Sequence, residues 1–251
     1  MTAALKPRLI ETLLWDDSEA LECCSVVPEA PETVTFSFIS PSGRQFHYLP
    51  GQFLTLELPL PGGTVWRTYT ISSSPSRPLS ISVTVKAQAG STGTRWMLDH
   101  LRPGMQLKAS GPAGGFVLDP KATGKYLFIS AGSGVTPTLA MTTSLFDRAT
   151  RIDLRILNCA RRPSEIIGHD TLTAMAARVP DIKLTFVVEE DDPFSVWTGL
   201  RGRLTPLMIG IAAGDYLERE VYCCGPEPFM AAVRAMLESL GFDMTRYHQE
   251  S

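Results

Sequence analysis

Residues 125–141 read KYLFISAGSGVTPTLAM, and the three parts of this stretch set the architecture of the C-terminal half. KYLFISA is a short, almost wholly apolar run, the pattern of a strand buried on both faces of a parallel sheet. Gly132 and Gly134 then allow a tight turn and a close backbone approach to a ligand. A helix is predicted over Thr136–Arg148, with Thr136 placed to cap it and Pro137 suited to its first turn. The N-terminus of such a helix offers free N–H groups and a dipole to a phosphate-bearing ligand. G-x-G-x-x-P lacks the third small residue of the usual dinucleotide fingerprint, and the lesser alternative for the turn alone is a tight connection that binds nothing.

The alternation continues downstream. RIDLRILN (151–158), DIKLTFVV (181–188) and EVYCC (220–224) read as strands. Helices are predicted over Ser164–Arg178 with Ser164 as N-cap, near Leu204–Ala213, and over Glu227–Leu240. Strand–helix alternation of this kind predicts a doubly wound parallel sheet. Upstream the rhythm differs. TVTFSFIS, FLTLELPL, RTYTIS, LSISVTVKA and MQLKASG are β-rich and separated by LPGQ, PLPGG, RPGM and GPAGG, the spacing of a small antiparallel barrel. One helical patch, Thr94–Leu101, interrupts it. The expected fold is therefore an N-terminal antiparallel β-barrel followed by a doubly wound parallel α/β domain. The rhythm changes near residues 118–124, which gives domains of 1–120 and 121–251.

Composition removes several function classes. The chain has 251 residues, 44% hydrophobic, with a formal net charge of −3, so a nucleic-acid footprint is absent from its charge balance. No apolar run approaches the roughly 18 residues of a membrane span. The N-terminal MTAALKPRLIETLLWDDSEA has no signal or transit pattern, and cytoplasm is the expected location. The cysteines are Cys23, Cys24, Cys159, Cys223 and Cys224. An odd number with two vicinal pairs suits no disulfide framework, and without C-x2-C or C-x4-C-x2-C no metal or chain-borne cluster is expected. His47, His100, His169 and His248 are scattered without ligand spacing.

In an open parallel sheet, ligands bind at the carboxyl ends of the strands. Cys223-Cys224-Gly225-Pro226 ends the last predicted strand. Cys224 is expected to face the cleft shared with the Gly132 turn, and Cys223 to point the other way into helix packing. Neither has a histidine neighbour in sequence to make it a nucleophile. In the barrel half, Arg67-Thr68-Tyr69-Thr70 places a cation and an aromatic plate on one strand face, with Thr68 and Thr70 on the other. That pairing suits a planar, phosphorylated cofactor. Gly90-Ser91-Thr92-Gly93-Thr94-Arg95-Trp96 is a second Gly-rich turn feeding a helix N-terminus. Two anion cradles in two domains imply two phosphorylated ligands meeting at their interface.

Taken together and in this order, RTYTISSSPS, the Gly90–Trp96 turn, GSGVTP and CGPEPF resemble the ferredoxin–NADP reductase family. ARRPSEII and CGPEPFMAAVRAMLESLGFDMTRYHQES narrow the resemblance to reductase components of Rieske-type monooxygenases acting on glycine betaine and related quaternary ammonium compounds. The resemblance covers about Cys23 to Ser251. It implies that Arg67 holds the flavin pyrophosphate with the backbone of Gly93 and Thr94, favouring FAD. Tyr69 would pack on the flavin ring, with Thr68, Thr70 and Ser73 completing that motif. Gly132, Gly134 and Thr136 would receive the nicotinamide nucleotide, NADH in preference to NADPH. Arg161 or Arg162 would lie at its adenosine end, and Cys224, Gly225 and Pro226 beside the nicotinamide. Tyr69, Thr70 and Cys224 would stand at the reacting centre. The resemblance further implies electron flow from NADH through FAD to a [2Fe–2S] centre and on to a Rieske oxygenase. No cluster ligands are present, and MTRYHQES reads as the lead-in to a linker, so the cluster is expected on a following domain or a partner. The alternative is a cluster-free NAD(P)H:flavin reductase that uses flavin as a substrate.

Overall fold

Alternating apolar residues bring the strands of the N-terminal half into two sheets that share one core. The computed structural model describes residues 13–119, 124–149, 151–193 and 196–250, so the expected boundary at 120–121 lies outside the described residues. In chain order the first half contains β1 (Leu21–Ala30), β2 (Thr33–Ile39), β3 (Phe53–Leu60), β4 (Gly63–Thr70), β5 (Ile81–Lys86), α1 (Thr92–His100), β6 (Gln106–Leu107) and β7 (Ala109–Ala113). One sheet runs β5-β2-β1-β6 and the other β4-β3-β7, all antiparallel. Phe36, Phe38, Leu54, Leu56, Leu58, Ile81 and Val83 are buried between them with Met97 of α1. Two details depart from expectation. LECCSVVPEA is a full strand, tolerating Pro28 beside a register shift at Pro28/Ala30. MQLKASG is not one strand: the chain changes sheets at Lys108, so β6 and β7 belong to different sheets.

The second half contains β8 (Gly124–Ala131), α2 (Val135–Asp147), β9 (Ile152–Ala160), α3 (His169–Arg178), β10 (Ile182–Val188), β11 (Leu200–Arg201), α4 (Pro206–Ala212), β12 (Glu220–Cys224), α5 (Glu227–Ser239) and β13 (Tyr247–Gln249). Its parallel sheet has the order β11-β10-β9-β8-β12-β13. Side chains alternate across β8: Tyr126 and Phe128 pack with α2 and α3, whereas Leu127 and Ile129 pack with α4 and α5. Both faces are covered, which is why KYLFISA carries no polar alternation.

Two expectations need correction. Thr136 is not a cap: a 3-10 turn over Gly132–Gly134 precedes α2, and the Thr136 hydroxyl lies within the first turn, donating to the Ser133 carbonyl at 3.1 Å. Ser164 caps no helix. It sits in a 3-10 turn, bonded to Asp192 through N and Oγ at 2.8 Å each, and α3 starts only after Gly168, whose φ of +69° breaks the helical run. Residues 247–249, within the segment expected to lead into a linker, form a strand paired with β12, Cys223 opposite Gln249.

A buried cation fastens the amino-terminal edge of this sheet. Arg219, fully buried, donates to both carboxylate oxygens of Asp215 at 2.6 and 2.9 Å and to both of Asp153 at 3.1 Å. It also reaches the carbonyls of Tyr126 and Asp153, so β8, β9 and the entry to β12 share one guanidinium. Removing the carboxylate partners would leave the buried guanidinium uncompensated, a change that costs about 3–5 kcal/mol. The double variant Asp153→Ala/Asp215→Ala should therefore lower stability in urea by about that amount, and an unchanged urea midpoint would contradict the assignment. The Asp215 carboxyl is held far below its ordinary 3.8, first by its bond to Arg219. Its contribution is thus present above about pH 4 and lost as the pH falls.

Candidate functional site

Between barrel and sheet lies a cleft of about 450 Å³. Three strand ends and two helix entries meet there, and close backbone packing fixes their positions. A Cβ on Gly134 would lie 2.4 Å from the Cys224 carbonyl oxygen and 2.5 Å from the Gly225 Cα, so only glycine lets the turn after β8 rest on the end of β12. On the barrel side, a Cβ on Gly93 would come within 3.2 Å of the Arg67 side chain and 3.1 Å of Leu58. The start of α1 is therefore seated directly against Arg67.

The sequence-predicted residues separate into those that line the cleft and those that do not. Thr68, Tyr69, Thr70, Thr94, Gly134, Thr136, Cys224, Gly225 and Pro226 line it. Arg67 and Tyr69 are opposite Leu56 and Leu54 of β3 and share their side of the strand. Burial pushes the Tyr69 phenol up to about 12, so it remains neutral. Among the described residues, the only hydrogen bond of the Arg67 guanidinium goes to the Trp66 carbonyl at 2.9 Å, and no carboxylate pairs with it. An exposed guanidinium without a carboxylate, packed closely beside a helix N-terminus at Gly93, fits a phosphorylated flavin.

Ser73 lies elsewhere. Its hydroxyl bonds the Tyr48 hydroxyl at 2.8 Å and accepts from the Ser82 backbone N–H at 2.9 Å, which fixes the chain leaving β4. Gly132 and Arg161 belong to a neighbouring cavity of about 460 Å³ at the ends of β9 and β10, which also contains Cys159, Glu189 and Pro226. Pro226 lines both spaces, so an extended ligand can run from one to the other over the Gly132–Gly134 turn. Arg162 is turned to Glu190, 2.9 Å away, and Glu190 also reaches Arg161 at 3.5 Å.

Sequence reasoning missed Glu250. Its Oε1 accepts from the Thr70 hydroxyl at 3.0 Å and its Oε2 from the Cys224 thiol at 2.9 Å, joining the two halves across the cleft. Nothing local in HQES marks it, because only the pairing of β13 on β12 carries residue 250 to Cys224. Burial, with the Glu250 charge adding to it, raises the Cys224 thiol well above the usual range. Cys224 is therefore a neutral wall and donor rather than a thiolate nucleophile. Cys223 points oppositely, fully buried among Val221, Val233 and Leu237, with its thiol pushed up to about 12 by desolvation. Lys86 and Thr84 of β5 also line the cleft, and Lys86 pairs across the domains with Glu165 at 2.7 Å.

Comparison with known proteins gives the same division. Residues 25–118 match the oxidoreductase FAD-binding domain family and residues 128–235 the oxidoreductase NAD-binding domain family. The chain is 62% identical over 237 residues to the stachydrine N-demethylase reductase subunit Stc4 of Rhizobium meliloti, covering 94% of this chain and 67% of that protein. It is 41% identical over 244 residues to the glycine betaine monooxygenase reductase subunit of Chromohalobacter salexigens, covering 96% and 66%. The chain thus spans about two thirds of the length of these relatives. In fold it is similar to the FAD/NAD-binding domain of nitric oxide dioxygenase from Vibrio cholerae, with a TM-score of 0.81 at 23% identity over 92% of this chain and 97% of that one. With a barrel, a doubly wound sheet, a cleft between them and both domain families matched in order, the chain belongs to the FAD- and NAD-binding oxidoreductases built like ferredoxin–NADP reductase.

Proposed function

We propose that this chain is the flavin- and nucleotide-binding part of an NADH-dependent reductase that feeds electrons through FAD to a [2Fe–2S] centre and on to a Rieske-type oxygenase acting on a quaternary ammonium compound. The observation that carries the reading is the meeting of Thr70, Glu250 and Cys224 at the junction of the FAD-binding and NAD-binding halves. The names of the two relatives, reductase subunits of a stachydrine N-demethylase and a glycine betaine monooxygenase, support a reductase role and the substrate class.

Bound FAD would supply the capacity to accept a hydride from a reduced nicotinamide and to pass electrons on singly. The chain's own groups hold, align and shield. Arg67 and the first amides of α1 would hold the pyrophosphate, and Tyr69 would supply the plate for the ring system. The Gly132–Gly134 turn and the start of α2 would receive the nucleotide phosphates, and the β9–β10 cavity the adenosine. Cys224 forms the wall next to the nicotinamide, its neutral sulfur held in place by Glu250. Thr70 is fixed by the other oxygen of the same carboxylate, so the two sides of the cleft have one common reference. The hydride step needs no protein acid or base, which agrees with a cleft whose thiol and phenol both stay protonated. At the adenosine end Glu190 offsets Arg161 and Arg162, and Glu189 lines the cavity, an arrangement that suits a free ribose better than a 2′-phosphate.

The purified protein should be yellow, release FAD at about one per chain (the one-site stoichiometry of the fold), and bleach on addition of NADH. A colourless, folded protein that reduces added flavin would instead identify a free flavin reductase. Cys224→Ala should slow flavin reduction in stopped flow by about tenfold to a hundredfold, since misplacement by about 1 Å costs that order, with flavin content unchanged. Cys223→Ala should cost about 1 kcal/mol of stability and leave the rate alone. Equal rates in both variants, or the reverse pattern, would remove Cys224 from the site. Glu190→Gln should lower KM for NADPH relative to NADH by about tenfold, the worth of about 1.4 kcal/mol of like-charge repulsion. An unchanged ratio would place the 2′ position away from Glu190.

A further inference from the structure

We infer that the apolar cavity between the β3–β4 hairpin and the outer face of α1 takes the adenine of the FAD, with Trp96 as the surface on which it stacks. The inference rests on the proposed flavin site, and specifically on a diphosphate held by Arg67 and the α1 N-terminus.

Two independent elements present the same order of positions. Along β4, Tyr69 lines the cleft, Arg67 lies two residues back on the same side, and Val65, two further back, lines the cavity. Four residues of strand span about 13 Å, so cleft and cavity lie either side of the guanidinium. Along α1, Thr94 lines the cleft, Gly93 is closed against Arg67, and Thr92 lines the cavity. A diphosphate seated at Arg67 and Gly93 therefore has one end directed to the cleft, where the flavin ring belongs, and the other directed to the cavity.

The cavity suits a purine. It holds about 500 Å³ and is walled by Leu60, Pro61, Val65 and Trp96, while Gly62 and Gly63 leave the hairpin side without obstruction. Trp96 is half-buried against the barrel core, and the His100 ring stacks near-parallel to it at 5.8 Å and 14°, which holds the indole's orientation. Arg95, on the rim, is already neutralised by Glu32 and Asp99, so no free cation competes with the apolar walls for character. The segment AQAGS (87–91) joining β5 to α1 has no aromatic residue that could take this role.

The test is flavin competition on the full holoprotein. Each variant is equilibrated with equimolar excess FAD and FMN, and the bound flavins are released and separated to give the bound FAD:FMN ratio. Trp96→Ala should lower that ratio by about tenfold or more, the scale of one base–aromatic stack. Val65→Trp, which fills the cavity from the strand side, should lower it likewise and decides the matter if Trp96→Ala does not fold by circular dichroism. Arg67→Ala, which touches a phosphate common to both flavins, should reduce total occupancy much more than it shifts the ratio. A folded Trp96→Ala or Val65→Trp protein with the wild-type ratio overturns the adenine assignment. Total occupancy unmoved by Arg67→Ala instead overturns the flavin-site reading beneath it.

Discussion

The contact on which the site depends is the one between Gly134 and the Cys224–Gly225 peptide, where backbone rests on backbone with no side chain between. β8 and β12 are neighbours in the sheet, with Ser130 opposite Cys224, so the chain leaving one strand must pass over the end of the other. A side chain at 134 would lift that passage and move α2 with it. With glycine there, Ser133 and Thr136 are brought to the cleft, Cys224 closes its floor, and Gly225-Pro226 turns the chain into α5. The relative position of the two sides of the cleft is thereby decided by sterics before any charge is considered.

The barrel packs on the sheet through Leu118, Phe116 and Ala30, which join the apolar cluster of β8 and α2, and a small set of directional contacts adds to that packing. Lys86 meets Glu165 with both side chains largely shielded, at 24% and 17% exposure, and Arg77 meets Asp147 in a two-pronged pair joined by the Ser76 hydroxyl. Thr70, Glu250 and Cys224 add the third attachment. Exposed ion pairs contribute little, but partial burial and bidentate geometry raise their worth. Contacts of this kind fix an orientation while leaving the volume between them free for ligands.

Local patterns were legible in the sequence and long-range pairings were not. The apolar run of residues 125–131, the glycine turns at 93 and 134, and the opposite facings of Cys223 and Cys224 follow from periodicity and backbone sterics within a few residues. Glu250 acquires its place only through a strand whose cysteine lies 26 residues away, and Lys86 its partner only through a 3-10 turn 79 residues away. A strand as short as YHQ has too few residues to show a period. Ser73 was misplaced because a motif gives spacing but not direction: past Ile71 the chain bends toward Ser82 and the hydroxyl turns with it. LECCSVVPEA was passed over because Pro28 and two glutamates mimic a loop, whereas its buried positions Leu21 and Cys23 belong to the barrel core.

The barrel's incomplete closure and its ligand site are the same feature. β4 and β5 are each the edge of their sheet, and the bridge between Ile71 and Val83 is the link the described residues show between them. Beyond that bridge Thr68–Thr70 and Thr84–Lys86 diverge and both line the cleft. Two strand edges thus face a common space with backbone donors and acceptors that no partner strand takes up, a condition that ordinarily invites aggregation. A flat ring system with hydrogen-bonding groups along its rim is the kind of ligand that can satisfy both edges at once, while Tyr69 covers its face. On the proposed reading, the seam that would be a defect in a free-standing barrel is the place for the flavin.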